Sequence, residues 1–143
     1  MIAYLHSTWA GFTLMIIIFT VFYHFKGLLT NNTYSLQTDF RLALFSLVVT
    51  AIQLVLGLVN LFTSDIWKHF RHVEFGVAVK NAEWRLAVLE HPVMALSGFL
   101  VMLYGFRRMY YQPLSKRRYL SIVLFYTMGF LLIAARIPWN KWL

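Results

Sequence analysis

Two histidines lie close to the beginnings of two long apolar segments. His91 is followed four and seven residues later by Ala95 and Gly98, which fall on the same face of a helix. His6 is followed by Ala10 at the same spacing of four residues. An imidazole above a shallow groove of small residues can hold a flat cofactor such as haem. We therefore predict that His6 and His91 are the two axial ligands of one haem b iron, and that the porphyrin lies in the groove formed by these small residues.

The depth of His91 in a membrane supports this hypothesis. The apolar stretch 92–106 has only 15 residues, whereas a helix needs about 20 residues to cross the hydrocarbon core. A span of residues 84–106 therefore draws Glu90 and His91 to membrane depth. Ionisable groups at that depth are costly and usually have a partner or a function.

The composition is that of a membrane protein. Of the 143 residues, 60% are hydrophobic and 13% are charged, and that charged share is about half of what soluble domains carry. The formal net charge is +8, but the basic residues cluster between apolar runs, as expected of membrane-flanking loops and not of a nucleic-acid interface. The absence of cysteine excludes disulfides, thiolate ligands and covalent haem attachment.

Four apolar runs, at residues 4–25, 42–63, 84–106 and 119–138, predict the elements that position the histidines. With three connections they form a single all-α domain over residues 1–143, an integral membrane up-down four-helix bundle in contact with lipid. Asn81 is expected to cap the third helix. Pro92 is expected to bend that helix, because proline frees a carbonyl of the preceding turn. The aromatic residues of segment 65–80 favour a position on the membrane surface.

Positive charge predicts the orientation of the bundle. Both termini and the second connection lie on one side of an up-down bundle. Loop 107–118 carries five Lys and Arg residues, which places it in the cytoplasm. We therefore expect a multi-pass protein of the bacterial inner membrane with both termini outside.

The alternating direction of the helices places the two histidines at the same depth in the membrane. Helices one and three run in the same direction, so His6 and His91 lie at similar depth near the outer face. Gln53 and Gly57, four residues apart on helix two, are expected to line the same interior. Arg136, on a fourth helix extended to residue 138, lies at the outer rim.

Arg85 is placed at the same rim. Arginines there suit the carboxylates of haem propionates. Glu90 is the other candidate partner for Arg136, as an ion pair.

Each of these residues also has a simpler interpretation. Histidines near helix ends are often interfacial and unliganded, and His91 has the alternative of a hydrogen bond to a loop carbonyl. The small residues have the alternative of close helix packing. His24 finds no matching histidine on helices two and four, so a second haem is not predicted.

Three short motifs resemble a known family: LHSTWA at residues 5–10, QLVLG at 53–57 and HPVMA at 91–95. They resemble one four-helix half-unit of the haem A synthases, and the whole chain resembles small four-helix b-type cytochrome-like membrane proteins. The resemblance implies that His6 and His91 carry the ligand roles. The synthase reaction is not implied, because the chain has one half-unit, and Ala3 and Val88 stand where that family has a glutamate three residues before a ligand histidine.

These observations leave three functions open. The first is a b-type cytochrome that exchanges single electrons with a quinol or a redox partner protein. It needs such a partner because one haem near one face cannot carry electrons across the bilayer. The second is a non-redox accessory or assembly subunit of a larger membrane complex, with structural histidines. The third is an enzyme acting on haem or quinone, for which Glu90 is the candidate proton-handling group; an electron carrier is favoured over a stand-alone enzyme.

Overall fold

The computed structural model describes residues 1–139, and all regular secondary structure in that range is helical. Within residues 1–139, four segments are long and apolar enough to cross a membrane: α1 (Ile2–Leu29), α2 (Asp39–Thr63), the segment Ala82–Tyr110, and α7 (Ser115–Ala135). Two short helices, α3 (Asp65–His72) and α4 (Phe75–Ala78), connect α2 to the third spanning segment. The predicted all-α membrane bundle is confirmed.

The third spanning segment contains one irregular turn. Helix α5 (Ala82–Arg85) passes through a π-turn (Leu86–Glu90) into α6 (His91–Tyr110). The backbone N–H of His91 donates to the carbonyl of Leu86, five residues earlier. The turn lies directly before Pro92, whose ring would collide with the carbonyl four residues back in a regular α-helix. The backbone before this proline is therefore a widened turn, and the predicted bend stays a prediction.

The helix boundaries differ from the predicted spans by up to four residues, because each spanning helix extends further into a connection than expected. Asn81 caps α5 as predicted, since its side chain accepts hydrogen bonds from the backbone N–H groups of Glu83 and Trp84. Helix α7 ends at Ala135 and does not continue to residue 138. Pro138 accounts for this, because proline has no N–H and excludes the α conformation at the residue before it.

The four spanning segments form a closed ring. Helix α1 packs on α2 and α7, and α6 packs on α7 and α2, so α1 and α6 stand diagonally across the bundle. We call the end with Met1, residues 64–81 and residues 136–139 the terminal end, and the end with residues 30–38 and 111–114 the loop end. This arrangement lets α1 and α6 face each other only across the bundle interior.

The packed core and the open interior occupy different halves of the bundle. The buried apolar cluster extends from mid-membrane to the loop end, and its members are Ile17, Tyr34, Ala43, Leu47, Met102, Met109, Tyr119, Ile122 and Tyr126. Towards the terminal end the interior widens into a cavity. The loop half is thus tightly packed, and the terminal half encloses an open space.

Candidate functional site

A cavity of about 750 Å³ lies at the terminal end of the bundle, between α1, α2, α7 and the third spanning segment. Its volume falls within the range of roughly 300–1,000 Å³ that cofactor and ligand sites usually have. Most of its wall is apolar. Six of the residues predicted from the sequence line it: His6, Ala10, Gln53, Gly57, His91 and Ala95.

The two histidines approach each other inside this cavity. Their ring centroids are 6.4 Å apart and their planes make an angle of 74°. Two imidazoles that share one metal ion, at about 2 Å per metal–nitrogen bond, hold their centroids roughly 6 Å apart. At this separation the imidazoles of His6 and His91 would be able to hold one haem iron between them.

The hydrogen bond of His91 fixes which of its ring nitrogens is available. Nδ1 lies 3.0 Å from the backbone carbonyl oxygen of Arg136. A carbonyl only accepts, so Nδ1 carries the proton and donates, and Nε2 keeps its lone pair. Metal-ligating histidines commonly hold their second nitrogen in this way. The same bond is the carbonyl contact that the simpler interpretation of His91 expected.

His6 is held by Gln53, with 3.1 Å between His6 Nδ1 and Gln53 Nε2. In this orientation the amide donates to Nδ1, which places the ring proton on Nε2. Gln53 Oε1 is buried without a hydrogen-bond partner in the described chain. Rotation of the amide by 180° brings Oε1 to Nδ1–H and frees Nε2 for a metal. The orientation of Gln53 therefore decides whether His6 can act as a ligand.

Gly57 makes room for the ring of His6. A Cβ atom at this position would lie 3.1 Å from Cε1 of His6, closer than an ordinary van der Waals contact. The glycine therefore allows the imidazole to lie against the backbone of α2. The predicted Gln53–Gly57 pair and His6 thus form one contiguous surface of the cavity.

The two arginines lie beside the cavity and share one carboxylate. Arg85 Nε is 2.7 Å from Glu90 Oε1, and Arg136 Nη1 is 3.6 Å from Glu90 Oε2. Neither arginine is among the residues that line the cavity. The ion pair between Glu90 and Arg136, one of the two predicted alternatives, is present, and the sequence reasoning missed the shorter one to Arg85.

Gly98 lies outside the cavity. A Cβ at this position would be 2.6 Å from the backbone oxygen of Gly129 and 2.6 Å from Cγ1 of Ile133. The glycine therefore permits α6 and α7 to pack closely, below the point where the cavity ends. Its position matches the alternative of close helix packing and not the predicted cofactor-binding groove.

Comparison of the chain with models of protein families, with curated proteins and with solved structures found no match.

Residues of the second connection complete the wall of the cavity, which the sequence reasoning did not foresee. They are Ser64 and Ile66. The start of the polar segment 64–81 thus folds over the terminal end instead of lying wholly apart from the bundle. Within residues 1–139 there is no group of three or more His, Cys, Asp or Glu side chains that could hold a bare metal ion; a bis-histidine haem takes two protein ligands.

His24 lies at the opposite end, in a compact polar cluster. It is fully buried, and its Nδ1 donates to the carbonyl of Thr20 at 2.8 Å. The rings of Tyr34 and Tyr119 pack against it with centroids about 6 Å away. Tyr119 donates to the buried carboxylate of Asp39 at 2.8 Å. The absence of a second haem at this end stays a prediction.

Proposed function

We propose that this chain is a membrane b-type cytochrome that binds one bis-histidine haem b at its terminal end and exchanges electrons with a quinol or a partner protein. The observation that carries the proposal is the pair His6 and His91, which meet from diagonal helices across a cavity at a centroid separation of 6.4 Å. Haem bound there would supply a one-electron couple. Two imidazole ligands leave no open iron position, which favours electron transfer over oxygen binding.

The surrounding residues support this function by orienting the ligands. The backbone carbonyl of Arg136 holds His91 with Nε2 available, and Gln53 can hold His6 in the matching state after its amide rotates. Gly57 gives the His6 ring the space it needs. Together these contacts limit ring rotation, so little ordering of the ligands remains for cofactor binding to impose.

Two guanidinium groups beside the cavity can receive an anionic partner. Arg85 and Arg136 both contact the carboxylate of Glu90, and Glu83 lines the cavity as well, so the formal charges of these four side chains balance. A guanidinium suits paired hydrogen bonds to a carboxylate. We assign the haem propionates to this end of the site.

The proposal includes an orientation in the membrane. The basic loop end faces the bacterial cytoplasm, and both termini and the haem lie towards the outer face. Membrane-impermeant labelling of a cysteine introduced at Lys116 is expected to fail in intact cells and to succeed after lysis. Labelling at Lys116 in intact cells would contradict the orientation without touching the ligand assignment.

The absorbance spectrum of the purified protein tests the cofactor. Protein from haem-replete cells should show a sharp haem band that changes on reduction. His6→Ala and His91→Ala should lose it, while exposed His72→Ala, the matched control, should keep it. Far-UV circular dichroism of each variant separates ligand loss from unfolding. Colourless wild-type protein would refute the proposal.

A second candidate is a non-redox accessory or assembly subunit of a membrane complex. The observation that favours it is the orientation of the Gln53 amide, which donates to His6 Nδ1 and leaves the ring proton on Nε2. In that state each imidazole has one hydrogen bond that requires no metal. The spectrum distinguishes the two functions, and carbon monoxide binding by reduced protein would instead indicate an open iron position and an enzyme.

A further inference from the structure

A second cavity of about 230 Å³ opens at the loop end, between α6 and α7, far from the histidine pair. Its wall combines the guanidinium groups of Arg108 and Arg117 with the hydroxyl of Ser121 and an apolar face formed by Leu120, Leu124 and Phe125. None of these residues contributes to the site described above. The cavity therefore has to be explained on its own chemistry.

The two arginines bring positive charge that no ion pair among residues 1–139 neutralises. No carboxylate in the described chain pairs with Arg108 or Arg117, whereas Arg85 and Arg136 share Glu90. The guanidinium of Arg108 lies 5.7 Å from the centroid of the Phe125 ring, which orients it over the cavity wall. Two such groups at one opening attract a phosphate, for which guanidinium is a preferred ligand.

The polarity of the cavity changes with depth. Arg117 lies in the first turn of α7, and Leu124 and Phe125 follow seven and eight residues later, which is roughly 10–12 Å deeper along the helix. Ser121, only 5% exposed, lies between them. The cationic groups thus stand where a spanning helix meets the membrane surface, and the apolar wall stands in the hydrocarbon region.

This gradient matches an amphiphile and not a free anion. A free phosphate would use only the arginine end and leave the apolar wall uncovered. A phospholipid has its phosphate and its first acyl carbons in the same order along the membrane normal. Basic pockets between spanning helices are known places for anionic headgroups.

We propose that the α6–α7 cavity binds one anionic glycerophospholipid, with its phosphate between Arg108 and Arg117 and an acyl chain along Leu120, Leu124 and Phe125. The site is independent of haem binding. It gives the bundle a specific lipid partner at the end that its positive charge directs to the cytoplasm.

Native mass spectrometry of the full chain in nonionic detergent with added dioleoyl phosphatidylglycerol tests this site. Wild-type protein should retain one lipid in preference to dioleoyl phosphatidylcholine. Arg108→Gln and Arg117→Gln should each weaken retention at least about tenfold, because each removes a charge-assisted hydrogen bond to the phosphate, worth about 1.5–3 kcal/mol. Arg107→Gln and Lys116→Gln, which remove the same charge from neighbouring positions outside the cavity, should retain the lipid as the wild type does.

Three outcomes would overturn the proposal. Equal losses in the Arg107→Gln and Lys116→Gln proteins would mean general surface attraction. Equal retention of phosphatidylcholine would mean an unspecific acyl groove. Displacement of the lipid by millimolar inorganic phosphate, dependent on Arg108 and Arg117, would identify the ligand as a free phosphate.

Discussion

Replacement of Gly98 by alanine separates the two roles that a small residue can have at this position. The added Cβ would lie 2.6 Å from the oxygen of Gly129, which is 0.8 Å less than the 3.4 Å of an ordinary contact. A backbone oxygen cannot rotate away, so α6 and α7 have to move apart by about that amount. A gap of 0.5–1 Å forfeits a quarter to a half of each dispersion contact it opens. Overpacking of this kind costs roughly 1–3 kcal/mol, and we expect a loss near 2–3 kcal/mol of unfolding free energy.

The assay is titration with SDS in a mild detergent, followed by far-UV circular dichroism. Gly76→Ala is the matched control, because nothing lies within 4 Å of a Cβ at that position. Gly57→Ala is the contrasting variant, since its Cβ meets only the His6 ring, which can shift by a few tenths of an ångström. Gly57→Ala should therefore change haem retention more than stability. A Gly98→Ala protein with unchanged stability and lost haem would refute this reasoning. Gly98 would then belong to the cofactor-binding groove, as the sequence predicted.

Three further predictions concern the polar side chains. Gln53→Leu should weaken haem retention by about 10–100-fold, the usual cost of losing a residue that orients a metal ligand. Gln53→Glu should restore retention, because its carboxylate accepts a hydrogen bond from Nδ1–H of His6. The rate of haem transfer to apomyoglobin measures retention in both variants. Arg136→Gln should lower the midpoint potential in redox titration, because the lost positive charge favoured the reduced haem, while stability falls by at most about 1 kcal/mol, as for other exposed ion pairs. Tyr119→Phe should cost about 1–3 kcal/mol in SDS unfolding, since the buried Oδ2 of Asp39 loses one of its two donors and keeps only the backbone N–H of Ser35 at 2.6 Å.

The general architecture could be predicted because a bilayer imposes simple rules on the chain. Uncharged runs long enough to span, such as residues 42–63, have no alternative to a helix in lipid. Asn81 was identifiable as a cap because its side chain precedes a helical pattern. Because consecutive helices alternate in direction, the sequence predicted that His6 and His91 lie at similar depth in the membrane. Their contact in the structure follows from the diagonal arrangement of α1 and α6, which hydropathy does not reveal.

The details that escaped prediction depend on neighbours remote in sequence or on an irregular backbone. Small residues occur both in cofactor-binding grooves and where helices pack closely. Only the position of α7 shows that Gly98 is a helix-packing residue. Arg85 and Glu90 are five residues apart, a spacing that does not bring side chains together on a regular α-helix. The π-turn between them changes that relation, and the pair meets at 2.7 Å.

The π-turn at Leu86–Glu90 also sets the rotational phase of the third spanning segment. It holds one residue more than an α-helical stretch, so the helix before it is turned by about 100° relative to a continuous helix of the same length. Ala82, Glu83, Leu86 and Ala87 are thereby turned towards the cavity, while Gly98 and Gly105 beyond it keep their faces on α7. Deletion of one residue here would restore a continuous helix and rotate the cavity-lining part out of register with the part packed on α7. One extra residue thus allows the same spanning segment to line the cavity with its first turns and to pack against α7 with the rest of its length.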